Sequence, residues 1–567
     1  MMRIVRYIAA YPPILIITLI GFFFHMLIIV PSGSYYCFGG KCGFYFWGAH
    51  GHDSIWHLAI SQVSFKTFPF VAPNFAGALL YGYNFLLDFF VFLLAKIFTA
   101  PSFIFFKILP VVWFLLFISF AVIFARKLID SARFTAILLF FFLFGGSFGY
   151  FLTLYHRGTL SGSESLLAMQ AGHTLLNVQF AFSLVVLLGI LILLADKKIT
   201  LKKIILLGFL IFLNFGLKLY AGLISSFLVG FFFLSAFFSK KDAAKLVVRL
   251  LIILLWVTAT LFVFYNPLYV LKNGSVFIFS PFAHAHAMIE ESNMVPLKNM
   301  VNARYFLQAQ GGFSPRLLSI ELFSLFLYIF FNLGTRFFGI LYIPILFFKK
   351  RMSKLDLSIL ATAIFGLLCM ALFIQAGEWW NTVQFFYYTI FLSNVFAAYF
   401  TYRLSQQKKI GMVGVVIVVI LTIPINSDFI KNFTRFPAPA YIPQKELEAF
   451  AFLKKQKEGI VLGSLYDKDL KSKFSDPQPL YAYTDTSYIA AISGKQLYIG
   501  NENQLTILRI DYKKRMAEVR EWNCALLEKV DYFYEVKKMR QAKNFTGCEE
   551  RVENIFENEE ATIYMVK

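Results

Sequence analysis

The chain has 567 residues, 59% of them hydrophobic and 71 of them Phe, and its mean hydropathy is +0.67. Soluble domains average about 45–50% apolar, so a soluble enzyme is excluded and a polytopic membrane protein is expected. The formal charge of +21 does not point to nucleic acid, because Lys and Arg sit in short clusters between apolar runs, as the positive-inside rule requires.

Arg3 and Arg6 place the N-terminus in the cytoplasm, and the apolar run 12–30 crosses outward. No small-residue cleavage site follows it, so it is expected to stay as an anchor. The first outer loop, 31–102, opens with CFGGKC. Cys37 with Cys42, and Cys524 with Cys548 near the other end, form two local pairs that fit disulfides on an oxidising face. Metal binding at Cys37 and Cys42 is the other reading, and Cys369 lies alone in an apolar run.

Next comes GAHGHDSIWHLA, Gly48 to Ala59, with His50, His52, Asp53 and His57. The stretch DSIWHLAISQVSFK can form an amphipathic helix along the membrane surface, anchored by Trp56. A carboxylate there, in a partly dry site, can accept a proton from an incoming hydroxyl. Asp is also a favoured N-cap, and spacing alone leaves both readings open. The apolar segment 78–98 has the length of a span. Counting it as one, however, would put Arg126 and Lys127 outside, and Asp88 in its middle is costly in hydrocarbon. It is therefore expected to lie beside the membrane or re-enter it without crossing.

Residues 134–154 and 176–195 then cross, with the His156 to His173 loop and Glu164 outside. Two short crossings between Lys203 and Lys240 place NFGLKLYAG, with Lys218, at an outer turn. Lysine at such depth is functional or snorkels, and an ammonium there can hold a phosphate as a point charge. The span 247–265 leads into a long outer loop, 266–316. It carries His284, His286 and Glu290, whose H-x-H spacing is compatible with metal but matches no closed zinc signature. Arg304 and Arg316 in the same loop are further phosphate partners. Residues 317–348 return with a break near Asn332–Gly334, and spans 357–375, 385–402 and 410–426 follow. Trp379, Trp380 and Asn381, in EWWN, stack on a sugar or belong to an aromatic belt. About eleven spans of the length a bilayer needs result. Of the eight histidines only His25 lies in a span, so the polar chemistry gathers on the outer face.

From 427 to 567 the composition turns charged, and helix-like and β-type runs alternate. A small exoplasmic α/β domain is expected, with no phosphate-binding glycine loop, and an accessory role is its plain reading.

This arrangement resembles the GT-C membrane glycosyltransferases, which include protein O-mannosyltransferases and aminoarabinose transferases. HDSIWHLA, with Asp53, stands where that superfamily carries an acidic motif after its first span. FPFVAPNFAGALLYGYNFLLDFFVFLLAKIF resembles its proline-containing juxtamembrane stretch, and NFGLKLYAG its glycine-flanked lysine between spans. The resemblance covers about residues 1–426 in topology. It departs in that His52 and Ser54 flank Asp53 where many relatives have a second acid, and Glu164 corresponds only loosely to an acid of their second loop. The resemblance implies a mostly α fold, a GT-C-like transmembrane bundle (1–426) with an exoplasmic α/β domain (427–567). It also implies transfer of a sugar from a polyprenyl-phosphate donor to a glycan, lipid or protein acceptor on the outer face of the cell membrane. Asp53 would be the general base, with His52 and His57 beside it, and Lys218, with Arg304, would hold the lipid phosphate. No cofactor is required, and a divalent metal is a possible addition. The rival readings are an O-antigen-ligase-like enzyme using the arginines of the long loop, and a transporter or non-catalytic binder of lipid-linked sugar. Against a transporter, no internal repeat is visible.

Overall fold

The computed structural model describes residues 2–161, 171–235, 243–272, 276–311, 314–407, 409–539 and 548–567. Among these, seven helices are long and apolar enough to cross a membrane: Pro12–Ile29, Pro101–Leu128, Leu246–Tyr265, Pro315–Phe348, Lys354–Leu372, Trp379–Ser405 and Lys409–Thr434. An eighth results if Ala132–Phe144 and Gly149–Arg157, bent by 52°, form one span. Val178–Leu194, Leu201–Leu217 and Leu219–Leu234 are 16 or 17 residues long, short of the roughly 20 that a hydrocarbon core requires. The segment 78–98 holds a helix, Leu86–Ile97, of only 12 residues.

The helix starts follow local chemistry. Ser353 and Asp356 form a reciprocal capping box at Lys354–Leu372, while Ser131, Asn177 and Ser314 each accept a hydrogen bond from the first turn they precede. Such caps satisfy backbone donors that have no helical partner.

Three rods are interrupted at one level, around Arg336. Ala132–Phe144 stops at Gly145, Pro315–Leu333 gives way to a 3-10 turn at Gly334–Arg336, and Lys409–Thr434 contains Pro424. Broken helices inside a bilayer need their freed carbonyls satisfied from within the protein. Arg336, fully buried, donates through Nε to Leu333 O at 2.9 Å and through a terminal nitrogen to Asn332 O at 3.3 Å. Asn426 donates to Phe144 O at 2.6 Å and Thr422 O at 2.8 Å.

The region beyond the helical rods is knit together by two sheets. Ser34–Phe38 and Lys41–Phe46 form an antiparallel hairpin with Cys37 opposite Cys42, and a disulfide joins the two. The hairpin continues into the tail: Lys41–Phe46 pairs with Ala440–Pro443, which pairs in turn with Gln478–Pro479. The second sheet has five strands, in the order Val552–Glu557, Ala561–Val566, Tyr532–Val536, Ile460–Gly463, Gln496–Leu497. Ile460–Gly463 pairs in parallel with both its neighbours, Tyr532–Val536 and Gln496–Leu497, and Cys524 is bonded to Cys548.

The helix Lys409–Thr434 runs on past residue 426, and the tail that follows it is not a detached unit. Phe75 and Ala76 of the first loop are buried in the tail's own core with Leu462, Ile499 and Phe533. The Arg515 guanidinium lies 3.7 Å over the Phe75 ring. Main-chain bonds from Leu497 N to Pro73 O (2.9 Å) and from Gly500 N to Asn74 O (3.0 Å) extend the contact.

Candidate active site

Asp53 is the first residue of the helix Asp53–Ala59, which continues as a π-helical turn, Ile60–Ser64. His52, not Asp53, occupies the N-cap position. The Asp53 carboxylate instead accepts a hydrogen bond from His52 Nδ1 at 2.8 Å. This helix does not present the exposed polar face expected of an amphipathic surface helix. Ser54 to Ala59 are all buried, and Trp56, expected as an interfacial anchor, is 1% exposed and stands edge-on to Tyr83. The cause is tertiary: the tail helix Tyr488–Ser493 packs directly over Asp53–Ala59.

The Asp53 side chain remains 43% exposed, and it opens into a cavity of about 230 Å³. Lys218, Trp380, Asn381, Glu378 and Arg509 share that cavity. Lys218 is the single extended residue between Leu201–Leu217 and Leu219–Leu234. Its backbone N donates back to Asn214 O at 2.8 Å and its carbonyl accepts from Gly222 N at 3.1 Å, so Lys218 itself keeps both main-chain bonds at the break. Burial raises the Asp53 carboxyl, but the His52 hydrogen bond and charge, followed by the Lys218 charge, outweigh it and hold it below its ordinary value. Burial lowers the His52 imidazole, and the Asp53 bond together with the charges of Asp53, Asp485 and Glu378 more than reverses this, leaving it raised.

The three histidines of the motif therefore do three separate jobs. His50 is fully buried and bonds Ser32 Oγ at 2.8 Å and Leu175 O at 3.1 Å, tying the first loop to the second. Burial pushes its imidazole down to about 4, so it is neutral. His52 holds Asp53. His57 also lines the cavity, and its Nδ1 reaches a buried carboxylate, Asp88 Oδ2, at 3.0 Å. Gln179 Nε2 donates to the other Asp88 oxygen at 2.9 Å. Asp88, costly by sequence, is thus paired and hydrogen-bonded behind the cavity wall.

Other expected residues lie elsewhere. His284, His286 and Glu290 do not converge. His284 Nε2 meets Thr382 Oγ1 at 2.7 Å and its ring stacks on Trp379. His286 pairs with Glu321 at 2.6 Å, and Glu290 pairs with Arg304. Among the described residues no three His, Cys, Asp or Glu side chains stand together as a metal site; on the cavity itself the carboxylates are Asp53 and Glu378. These residues do not fit a metal centre. Arg304 is tied to Glu290 and, at 3.8 Å, to Glu321. Neither Arg304 nor Arg316 lines the cavity. Trp379 faces His284, whereas its neighbours Trp380 and Asn381 face the cavity. Glu164 lies outside the described residues.

Residues missed by sequence reading come chiefly from the tail. Asn503, Gln504 and Arg509 follow or belong to the helix Glu502–Ile507 and close one side of the cavity. Gly377 permits that approach: its φ is +88°, and a Cβ there would stand 2.9 Å from the Thr506 side chain. The strand Phe277–Phe279 pairs with Phe373–Gln375 and delivers Gln375, whose Oε1 accepts from the Tyr220 hydroxyl. In sequence these are ordinary polar residues of a charged tail and a span end, with no spacing that marks them.

No protein-family model matches the sequence, and no curated protein matches it. Among solved structures, an oligosaccharyltransferase of Archaeoglobus fulgidus in complex with Zn and sulfate is similar at a TM-score of 0.51 and 14% identity, over 92% of this chain and 68% of that one. The apo form of that enzyme is similar at the same TM-score and identity, over 92% and 69%. At this identity the likeness is one of fold: a bundle of apolar helices carrying a region of sheets and shorter helices.

Proposed function

We propose that the protein is a membrane glycosyltransferase that moves a sugar from a polyprenyl-phosphate-linked donor to an acceptor on the outer face, with Asp53 as general base. The fold it shares with an oligosaccharyltransferase supports glycosyl transfer. The observation that carries the reading is the juxtaposition on one cavity of the His52-held Asp53 carboxylate and Lys218, which has no ion-pair or hydrogen-bond partner for its ammonium among the described residues. Charge distribution supports an outer location. Lys127, Lys349 to Arg351 and Arg403 stand at the helix ends remote from Asp53, the ends that belong in the cytoplasm.

In this reading the acceptor hydroxyl attacks the anomeric carbon from the side opposite the phosphate. Its proton passes to an Asp53 oxygen, the C–O bond to phosphate breaks with its electron pair leaving on the phosphate, and the configuration inverts. Lys218, joined by Arg509 from the tail, offsets the charge that grows on the leaving group. His52 keeps Asp53 ionised and aimed, so the base is always in its charged form at neutral pH. Trp380 and Asn381 offer an apolar face and an amide to the sugar.

Lys218→Met tests the phosphate role in proteoliposomes with a defined polyprenyl-phosphate sugar. The donor KM should rise at least tenfold while acceptor KM stays near wild type. An unchanged donor KM and kcat would remove Lys218 from the site.

A further inference from the structure

A second cavity, of about 540 Å³, sits at the opposite end of the bundle from Asp53. Four helices connect the two. Trp379–Ser405 carries Trp380 and Asn381 at one cavity and Arg403 at the other, a separation of about 35 Å at 1.5 Å per residue. Leu219–Leu234 likewise presents Tyr220 to one and Phe232 to the other, Val178–Leu194 begins after Asn177 and ends at Leu194, and Lys354–Leu372 begins at Lys354 and leads to Gln375.

Basic residues gather at this face of any membrane protein, so their presence alone says little. Here, however, they rim a concavity with an apolar floor. Lys127, Arg351, Lys354 and Arg403 line it with Phe232 and Leu346. Lys127 is neutralised by Asp196. Among the described residues, Arg351, Lys354 and Arg403 have no acidic partner within ion-pair distance. The one acid in the lining, Asp356, is already spent: one oxygen accepts from Ser353 N and Oγ, the other from the Tyr399 hydroxyl at 2.9 Å. Lys354 lays its ammonium 4.1 Å over the Phe232 ring, which holds the charge at the boundary between the cationic rim and the apolar floor.

We propose that this cavity binds an anionic phospholipid of the cytoplasmic leaflet, its phosphate between Arg351, Lys354 and Arg403 and its glycerol end on Phe232 and Leu346. A phosphate needs the convergent cations, and the apolar floor selects a lipid-borne phosphate over a free one. Each cation near a headgroup contributes about fivefold in affinity.

The test is lipid retention by the full-length protein in nanodiscs made with phosphatidylglycerol, phosphatidylcholine or a mixture, read by native mass spectrometry. Wild type should retain phosphatidylglycerol in preference, and R351Q, K354Q and R403Q should each lower that preference about fivefold, with the triple variant losing it. Arg351 and Arg403 are exposed, so R351Q and R403Q keep the test open even where K354Q or the triple variant fails to fold. Equal retention in wild type and R351Q/R403Q would overturn the proposal. So would displacement of the bound lipid by millimolar inorganic phosphate, which would assign the cavity to a soluble phosphate compound.

Discussion

Asp53 is set apart from the other acids by who touches it. The His52 bond at 2.8 Å and the charge of Lys218 hold its carboxyl below its ordinary value against the pull of burial. A base with a depressed pKa is charged throughout the neutral range and loses its function only as pH falls through that low value. His52→Ala removes the strongest of these influences, so the acid limb of the pH–rate profile should move to higher pH. His52→Gln, which retains a donor, should move it less. A limb that stays put in both variants would show that Asp53 does not titrate in the rate. Asp53 and Lys218 were legible in the sequence because charged groups at the ends of apolar runs are rare. Spacing counts residues but says nothing of where rings point: His50 turns into the core, whereas His57 lines the cavity and reaches Asp88 behind it. Arg509 carried no sequence signal, since only docking of the tail brings it to the cavity.

Two elements carry testable packing. Phe75, a loop residue, fills the tail's core beneath Arg515. Truncating a buried Phe costs about 3–5 kcal/mol, and here the loss falls on the joint between loop and tail. Phe75→Ala should make the tail protease-sensitive while the spans stay folded, seen as early cleavage after Thr434 in limited proteolysis. Within the tail, Glu446 is fully buried and accepts from Tyr534 at 2.7 Å and Tyr488 at 3.1 Å. Burial raises its carboxyl to about 7 from an ordinary 4.5. A raised acid favours the folded state while the side chain is protonated. That advantage drains as pH climbs from about 4.5, where the unfolded chain begins to ionise, to about 7, and amounts to roughly 3 kcal/mol. The tail should therefore melt at lower temperature at pH 7.5 than at pH 5, and Glu446→Gln should flatten the dependence. A Glu446→Gln protein with the wild-type slope would rule the residue out as its source. The helical rods were readable from hydropathy, whereas these joints were not: Phe75 is one apolar residue among many in sequence. The interruption at Gly145, Gly334 and Pro424 was half-visible, in the expected break near Gly334, but its convergence on Arg336 depends on helix packing.

At the scale of the molecule, the loop that follows Pro12–Ile29 and the tail form one body over the bundle, through a shared four-stranded sheet and a shared core. The sequence marks the tail as a separate α/β domain because composition changes abruptly there, and composition is blind to a strand pairing between Gly43 and Pro443. That pairing gives the tail a part in the site: it covers the Asp53 helix and supplies Arg509 to the cavity. The helix ends sort by chemistry, with the carboxylate and lysine cavity at one end and the basic cavity at the other. The central claim is that Asp53 takes the acceptor proton in a glycosyl transfer. Its most direct test is single-turnover transfer in proteoliposomes from a radiolabelled polyprenyl-phosphate sugar, comparing wild type with Asp53→Asn of matched melting temperature. General-base loss predicts a rate about 10²–10⁴-fold lower with donor binding retained, and transfer by Asp53→Asn at the wild-type rate would contradict it.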